Sequence, residues 1–136
     1  MIALGSNLGD REWHLRRALH QLRRAVRLVR ISGIYETAPV DAPPGSPDFL
    51  NMAAAGLTSL TPVALLDELL RIETELGRVR TTRNAPRVID LDLIFYGALR
   101  MRSARLTIPH PRYHEREFVL QPLSDLGLGW QMEGLR

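Results

Sequence analysis

The chain has 136 residues, no cysteine, and 18 basic against 15 acidic side chains, a formal charge of +3. This length implies one domain over 1–136, and the missing thiols exclude disulfides, thiolate metal sites and thiol nucleophiles. No run approaches the roughly 20 apolar residues of a membrane span, and the N-terminus lacks a secretory layout, so no membrane and a cytoplasmic location are expected.

Met1–Leu4 reads as the end of a buried strand, with Gly5-Ser6-Asn7-Leu8-Gly9 as the turn leaving it. That turn has neither the dinucleotide fingerprint nor the Gly-Lys-Ser/Thr of a P-loop. Asp10 can cap the helix that follows, whose stripe is Leu15, Ala18, Leu19, Leu22, Ala25 and Val26. From Leu28 to Thr37 the period falls to two, predicting a strand with Val29, Ile31 and Tyr35 on one side and Arg30, Ser32 and Glu36 on the other.

Ala38–Pro47 carries four prolines and a glycine and must be a long loop. A strand is predicted over Phe49–Thr58, then a helix opened by Thr61-Pro62 and closed before Gly77, with Leu65, Leu66, Leu69, Ile72 and Leu76 inward. Glu73 falls on that inward face, either as the solvated edge of the stripe or as the wall of a site. After a loop over Arg78–Pro86 comes the most apolar strand, Val88–Tyr96, then a hairpin around Gly97–Arg105 and a short amphipathic helix near Glu115–Leu123. Irregularly alternating helices and strands predict an α+β sandwich, a mainly antiparallel sheet covered by helices.

Asp90 and Asp92 stand two apart on the predicted strand, so both carboxylates project from one face, roughly 6–7 Å apart. Ile89, Leu91, Leu93 and Phe95 would fill the other face and hold the register. Such a pair can share hard cations bridged by phosphate oxygens, with Mg²⁺ the natural occupant. A strand with one wet face also shows alternate acids without any ligand. Two features favour the ligand: the face continues into Ile94 and Tyr96, and Arg78, Arg80, Arg83 and Arg87 crowd just upstream. All 18 basic residues are arginine, so a lone one carries little weight and the local crowding matters more. Phe49 at a strand start is ordinarily core, and His110 between two prolines is ordinarily a loop residue.

Six ordered blocks carry a resemblance: Ala3-Leu4-Gly5-Ser6-Asn7-Leu8-Gly9, Tyr35-Glu36-Thr37, Asp48-Phe49-Leu50-Asn51, Glu75-Leu76-Gly77-Arg78-Val79-Arg80, Pro86 to Leu93, and Leu106-Thr107-Ile108-Pro109-His110-Pro111 with Arg116 and Phe118 beyond. Over nearly its whole length the chain resembles the 6-hydroxymethyl-7,8-dihydropterin pyrophosphokinase family. The resemblance implies a ferredoxin-like three-layer α/β/α fold. It also implies transfer of the β,γ-diphosphate of ATP to the pterin hydroxymethyl oxygen, with release of AMP, in folate biosynthesis.

By the same resemblance Asp90 and Asp92 match ligands of two Mg²⁺ ions, and Arg78 and Arg87 join them as catalytic residues. Phe49 and Phe118 match the aromatic pair around the pterin, with Asn51 and Asp90 at its edge and Thr37, Ala38 and Val40 lining the pocket. Glu73, Arg78, Arg80, Arg87, Ile94, Arg105, Thr107, His110 and Arg116 match positions around ATP. Asn84 stands where members often have tryptophan, and Ala85 where glycine is common. Small-molecule substrates, a monomer and no nucleic acid are expected. The competing readings are an arginine-rich RNA-binding module, which would need aromatics where the two aspartates stand, and an inactive member of the same fold.

Overall fold

A computed structural model describes residues 1–39, 42–78, 86–111, 113, 121–122 and 124–127. The elements are β1 (Ile2–Ser6), α1 (Arg11–Leu22), β2 (Arg27–Ile31), β3 (Tyr35–Thr37), β4 (Phe49–Leu57), α2 (Pro62–Glu75), β5 (Asp90–Leu93), β6 (Met101–Arg102) and β7 (Thr107–Ile108). Both helices start where their capping chemistry dictates. The Asp10 side chain accepts the Trp13 N–H at 3.1 Å, and Thr61 accepts that of Ala64 at 3.2 Å with Pro62 in the first turn. Gly77, at φ 97°, stands just past the end of α2, where a left-handed residue suits glycine.

The main sheet is antiparallel in the order β2-β4-β1-β5, with β3 also paired to β4. The pleat divides it cleanly. Ile2, Leu4, Met52, Ala54, Leu91 and Leu93 point to the face covered by α1 and α2, where they join Leu15, Leu22, Leu65, Leu69 and Ile72 in the principal core. On the other face, Ala53 packs with Ile94, Phe95, Tyr113 and Leu126 in a smaller cluster. Residues 121–122 and 124–125 of the tail are helical. The molecule is an α+β sandwich of ferredoxin-like type; most of the expected helix near Glu115–Leu123 lies outside the described residues.

Three expectations differ from the structure. The strand expected over Leu28–Thr37 is two strands, each paired with β4 but separated over 32–34, and the β2–β4 register itself shifts between Leu28 and Arg30. That bulge and the edge position leave Val29 and Ile31 61% and 43% exposed, while Ser32 turns inward and its hydroxyl accepts the Ala53 N–H at 2.8 Å. Glycine is required opposite this bulge: a Cβ on Gly56 would lie 2.4 Å from the Arg27 carbonyl oxygen. Beyond Leu93 the alternation breaks, so Phe95 joins the smaller cluster and Tyr96 bonds back to the Leu60 carbonyl at 2.6 Å. The hairpin lies further along than expected, Met101 pairing with Ile108 and Arg102 with Thr107.

Candidate active site

The sheet register builds the site in rows. Gly5 of β1 stands opposite Asn51 of β4 on one side and Asp90 of β5 on the other, and Asn51 in turn stands opposite Tyr35. Two residues to one side of this row Ala3 stands opposite Asp92 and Ala53, and two residues to the other side Phe49 stands opposite Thr37. Small residues therefore floor the face between a carboxylate flank on β5 and an amide and aromatic flank on β4. Strands spaced ~4.8 Å apart put those flanks about 10 Å apart, a width suited to a flat heterocycle.

The amide flank is preset. Asn51 is buried and donates from Nδ2 to Thr37 Oγ1 at 2.7 Å. The Phe49 ring lies against the floor, and the Arg87 guanidinium carbon is 5.8 Å from the ring centroid. The carboxylate flank is held by arginines: Arg78 Nη1 is 2.8 Å from Asp90 Oδ1, and Arg87 Nη1 is 3.2 Å from Asp90 Oδ2. Each Asp90 oxygen thus already faces a guanidinium, which a metal ion taking this carboxylate would have to displace.

Among the described residues, no group of three or more His, Asp or Glu could hold a metal ion. Two carboxylates on a rigid strand, with phosphate oxygens and water completing the shell, is how Mg²⁺ usually arrives with a nucleotide, so the donor set fits. Glu73 is 3% exposed and resolves its two readings inward: Oε2 accepts the Leu91 N–H and an Arg78 N–H, each at 2.8 Å. It contacts the protein itself, one residue from each aspartate.

Arg105, Thr107 and His110 sit on the β6–β7 hairpin and its exit, tied to the end of β5 by the His110 N–H to the Ile94 carbonyl at 2.9 Å. Arg105 is paired with Asp67 of α2 and is not among the side chains gathered around Asp90. Ile94 is 1% exposed in the smaller cluster, with its N–H bonded to the Met1 carbonyl. Ala38 is exposed at the exit from β3. Val40, Arg80, Arg83, Asn84, Ala85, Arg116 and Phe118 lie outside the described residues.

Asn7, unmarked by periodicity, anchors the site from below. It is 1% exposed; Oδ1 accepts the Arg87 N–H at 2.8 Å, its own N–H donates to the Arg87 carbonyl at 3.1 Å, and Nδ2 donates to the Pro47 carbonyl at 3.3 Å. Asparagine leaving a strand after Gly-Ser is the available sequence signal, since its side chain bonds nearby backbone. On the outer flank, Asp125 Oδ2 accepts the Tyr35 hydroxyl at 2.6 Å and the Gly33 N–H at 3.1 Å. That bond and the carboxylate charge hold the Tyr35 phenol above its usual range.

An open groove also runs along Arg23–Val29 and Leu57–Ser59, at the opposite edge of the sheet from the aspartates. Its lining includes no carboxylate or imidazole, so the site is assigned by chemistry and not by volume.

Residues 1–127 match the family model described as 7,8-dihydro-6-hydroxymethylpterin-pyrophosphokinase (HPPK). A 2-amino-4-hydroxy-6-hydroxymethyldihydropteridine pyrophosphokinase of Bacillus subtilis is 48% identical over 128 residues, covering 92% of this chain and 75% of the relative. The like-named protein of Haemophilus influenzae is 44% identical over 127 residues, covering 92% and 79%. A mitochondrial folate synthesis bifunctional protein of Arabidopsis thaliana is 48% identical over 127 residues, 93% of this chain but 23% of that longer protein.

Proposed function

Because the chain belongs to the 7,8-dihydro-6-hydroxymethylpterin-pyrophosphokinase family, we propose that it transfers the β,γ-diphosphate of ATP to the hydroxymethyl oxygen of 6-hydroxymethyl-7,8-dihydropterin, releasing AMP, in folate biosynthesis. The observation that carries this reading is the placement of Asp90 across the bare Gly5 floor from Asn51 and Phe49. A flat heterocycle fits the amide and aromatic flank, and a polyphosphate fits the carboxylate and arginine flank. The reaction joins those two classes of ligand.

The pterin lies on Phe49, with Phe118 as the second ring, Asn51 and Asp90 at its polar edge and Thr37, Ala38 and Val40 around it. Asn51 is oriented for this by its bond to Thr37, so its carbonyl oxygen is presented in one direction. Arg78, Arg80, Arg87, Thr107, His110 and Arg116 surround the triphosphate and ribose, with Arg105 and Ile94 toward the base. Asp90 and Asp92 would hold two Mg²⁺ ions, whose charge would neutralise the phosphates and lower the proton affinity of the attacking hydroxyl. The protein's own part is alignment and charge: Arg78 and Arg87 neutralise the developing charge, and the strand holds both carboxylates in register. Transfer forms a bond from the hydroxymethyl oxygen to the β-phosphorus and breaks the bond between that phosphorus and the α–β bridging oxygen, which leaves on AMP. The hydroxyl proton passes to solvent or to Asp92.

We further propose that residues 1–136 act as one domain, as a cytoplasmic monomer that takes neither nucleic acid nor membrane as partner. Among the described residues, no helix is long and apolar enough to cross a membrane. The test is direct: incubate the protein with Mg-ATP and the reduced hydroxymethylpterin and follow AMP. The reading predicts AMP equal to the pterin diphosphate formed, and AMP no higher than in a control without pterin would overturn it.

A further inference from the structure

β5 is the last strand of the sheet among the described residues, so one side of its backbone has no neighbouring strand there. On that side the Leu91 N–H, between the two aspartates, is taken up by Glu73 Oε2 at 2.8 Å. The same oxygen accepts from Arg78, whose Nη1 also contacts Asp90 at 2.8 Å. One buried carboxylate thus fixes the height of the strand that carries both aspartates and supplies Arg78 with a partner other than Asp90. Glu73 and Arg78 are both largely shielded, their side chains 4% and 11% exposed, where ion pairing is strong and an unmatched charge is penalised.

We infer that Glu73 is a positioning residue for cation loading: it keeps Arg78 anchored when a divalent cation takes Asp90, so that arginine and metal do not compete for one carboxylate. The inference rests on the assignment of Asp90 as a metal ligand. With glutamine in place of Glu73, Asp90 is the one carboxylate left paired with Arg78 among the described residues, and the arginine opposes the cation. With Glu73 charged, Asp90 is released at little cost and Arg78 stays beside the phosphates. The effect falls mainly on the carboxylate flank, since Asn51 and Phe49 contact neither Glu73 nor Arg78 in the bonds described, and Asp90 is the group that the pterin edge shares with it.

The experiment compares wild type, Glu73→Gln, Arg78→Ala and the double variant. It measures Mn²⁺ binding in the presence of α,β-methylene-ATP, without turnover, and separately the binding of 6-hydroxymethylpterin by calorimetry. Glutamine keeps an acceptor for the Leu91 N–H and removes only the charge. Glu73→Gln should weaken Mn²⁺ binding about tenfold, a shift of ~1.4 kcal/mol, while pterin binding stays within about twofold. Adding Arg78→Ala to it should restore Mn²⁺ affinity to that of Arg78→Ala alone, the non-additivity expected of a coupled pair. Unchanged Mn²⁺ binding in Glu73→Gln, or equal loss of metal and pterin, would overturn the inference. Should the variant not fold, the wild type decides: crystallised with Mn²⁺ and the analogue, it should keep Arg78 on Glu73 with Asp90 turned to the metal, and an Arg78 detached from Glu73 refutes the proposal. A wild type that makes no AMP condemns the parent assignment instead, so the two failures are distinct.

Discussion

Replacing Gly5 by alanine tests whether the bare floor is where the pterin lies. A Cβ there would lie 3.2 Å from Asn51 Oδ1 and 3.4 Å from Phe49 Cδ1, so the amide has to yield by a few tenths of an ångström. It has little freedom to do so, because Nδ2 is bonded to Thr37 Oγ1 at 2.7 Å. A neutral hydrogen bond is worth ~0.5–1.5 kcal/mol net, and the shift misdirects the one the amide offers a ligand. That is roughly a 2–10-fold loss of pterin affinity. No Asp90 atom is among the near neighbours of the added methyl, and Gly5 lies outside the positive-φ glycines, so Mg-ATP affinity and thermal stability should hardly change. Calorimetric titration with the reduced hydroxymethylpterin, beside a thermal melt, reads all three. Unaltered pterin affinity, or an equal loss for Mg-ATP, refutes the placement.

Gly56→Ala should act on stability alone, because the atom it meets at 2.4 Å is backbone: a cost of ~1–3 kcal/mol should appear as a lower urea midpoint, with kcat unchanged in the surviving fraction. Asp92→Ala should cut AMP formation by about 10²–10³-fold or more with an unchanged circular dichroism spectrum, and chelation with EDTA should silence the wild type reversibly. The Tyr35 phenol, held high by Asp125, favours the neutral form in the folded state. Its contribution is therefore complete below the ordinary value near 10 and lost as pH rises through the higher folded value. Wild type should be more stable than Tyr35→Phe at neutral pH, with the gap closing above about pH 10; a gap that widens there contradicts the assignment.

How much of this was legible in the sequence depends on how local the cause is. Asp10, Thr61 and Pro62 act within one turn of themselves, and both helices begin beside them. The alternation of β5 is equally local, which is why Asp90 and Asp92 could be assigned to one face. Neither the break of β2 from β3 nor the bulge between Leu28 and Arg30 was legible, because both follow from how these segments pair with β4, further along the chain. Glu73 offered two readings, and its resolution depends on the amide of Leu91 and the guanidinium of Arg78, contacts set by how α2 docks on β5. Asn7 was invisible to periodicity for the same reason, its partners Pro47 and Arg87 being brought to it only by the fold.

The central claim is that Asp90 and Asp92 jointly receive divalent cations bridging to a triphosphate. The most direct measurement is anomalous diffraction from crystals grown with Mn²⁺, α,β-methylene-ATP and 6-hydroxymethylpterin. The account predicts manganese peaks within roughly 2.0–2.4 Å of oxygens from both carboxylates, with the pterin on Phe49 opposite them. Manganese found away from the Asp90 and Asp92 face, or bound to nucleotide with neither carboxylate coordinated, would contradict it.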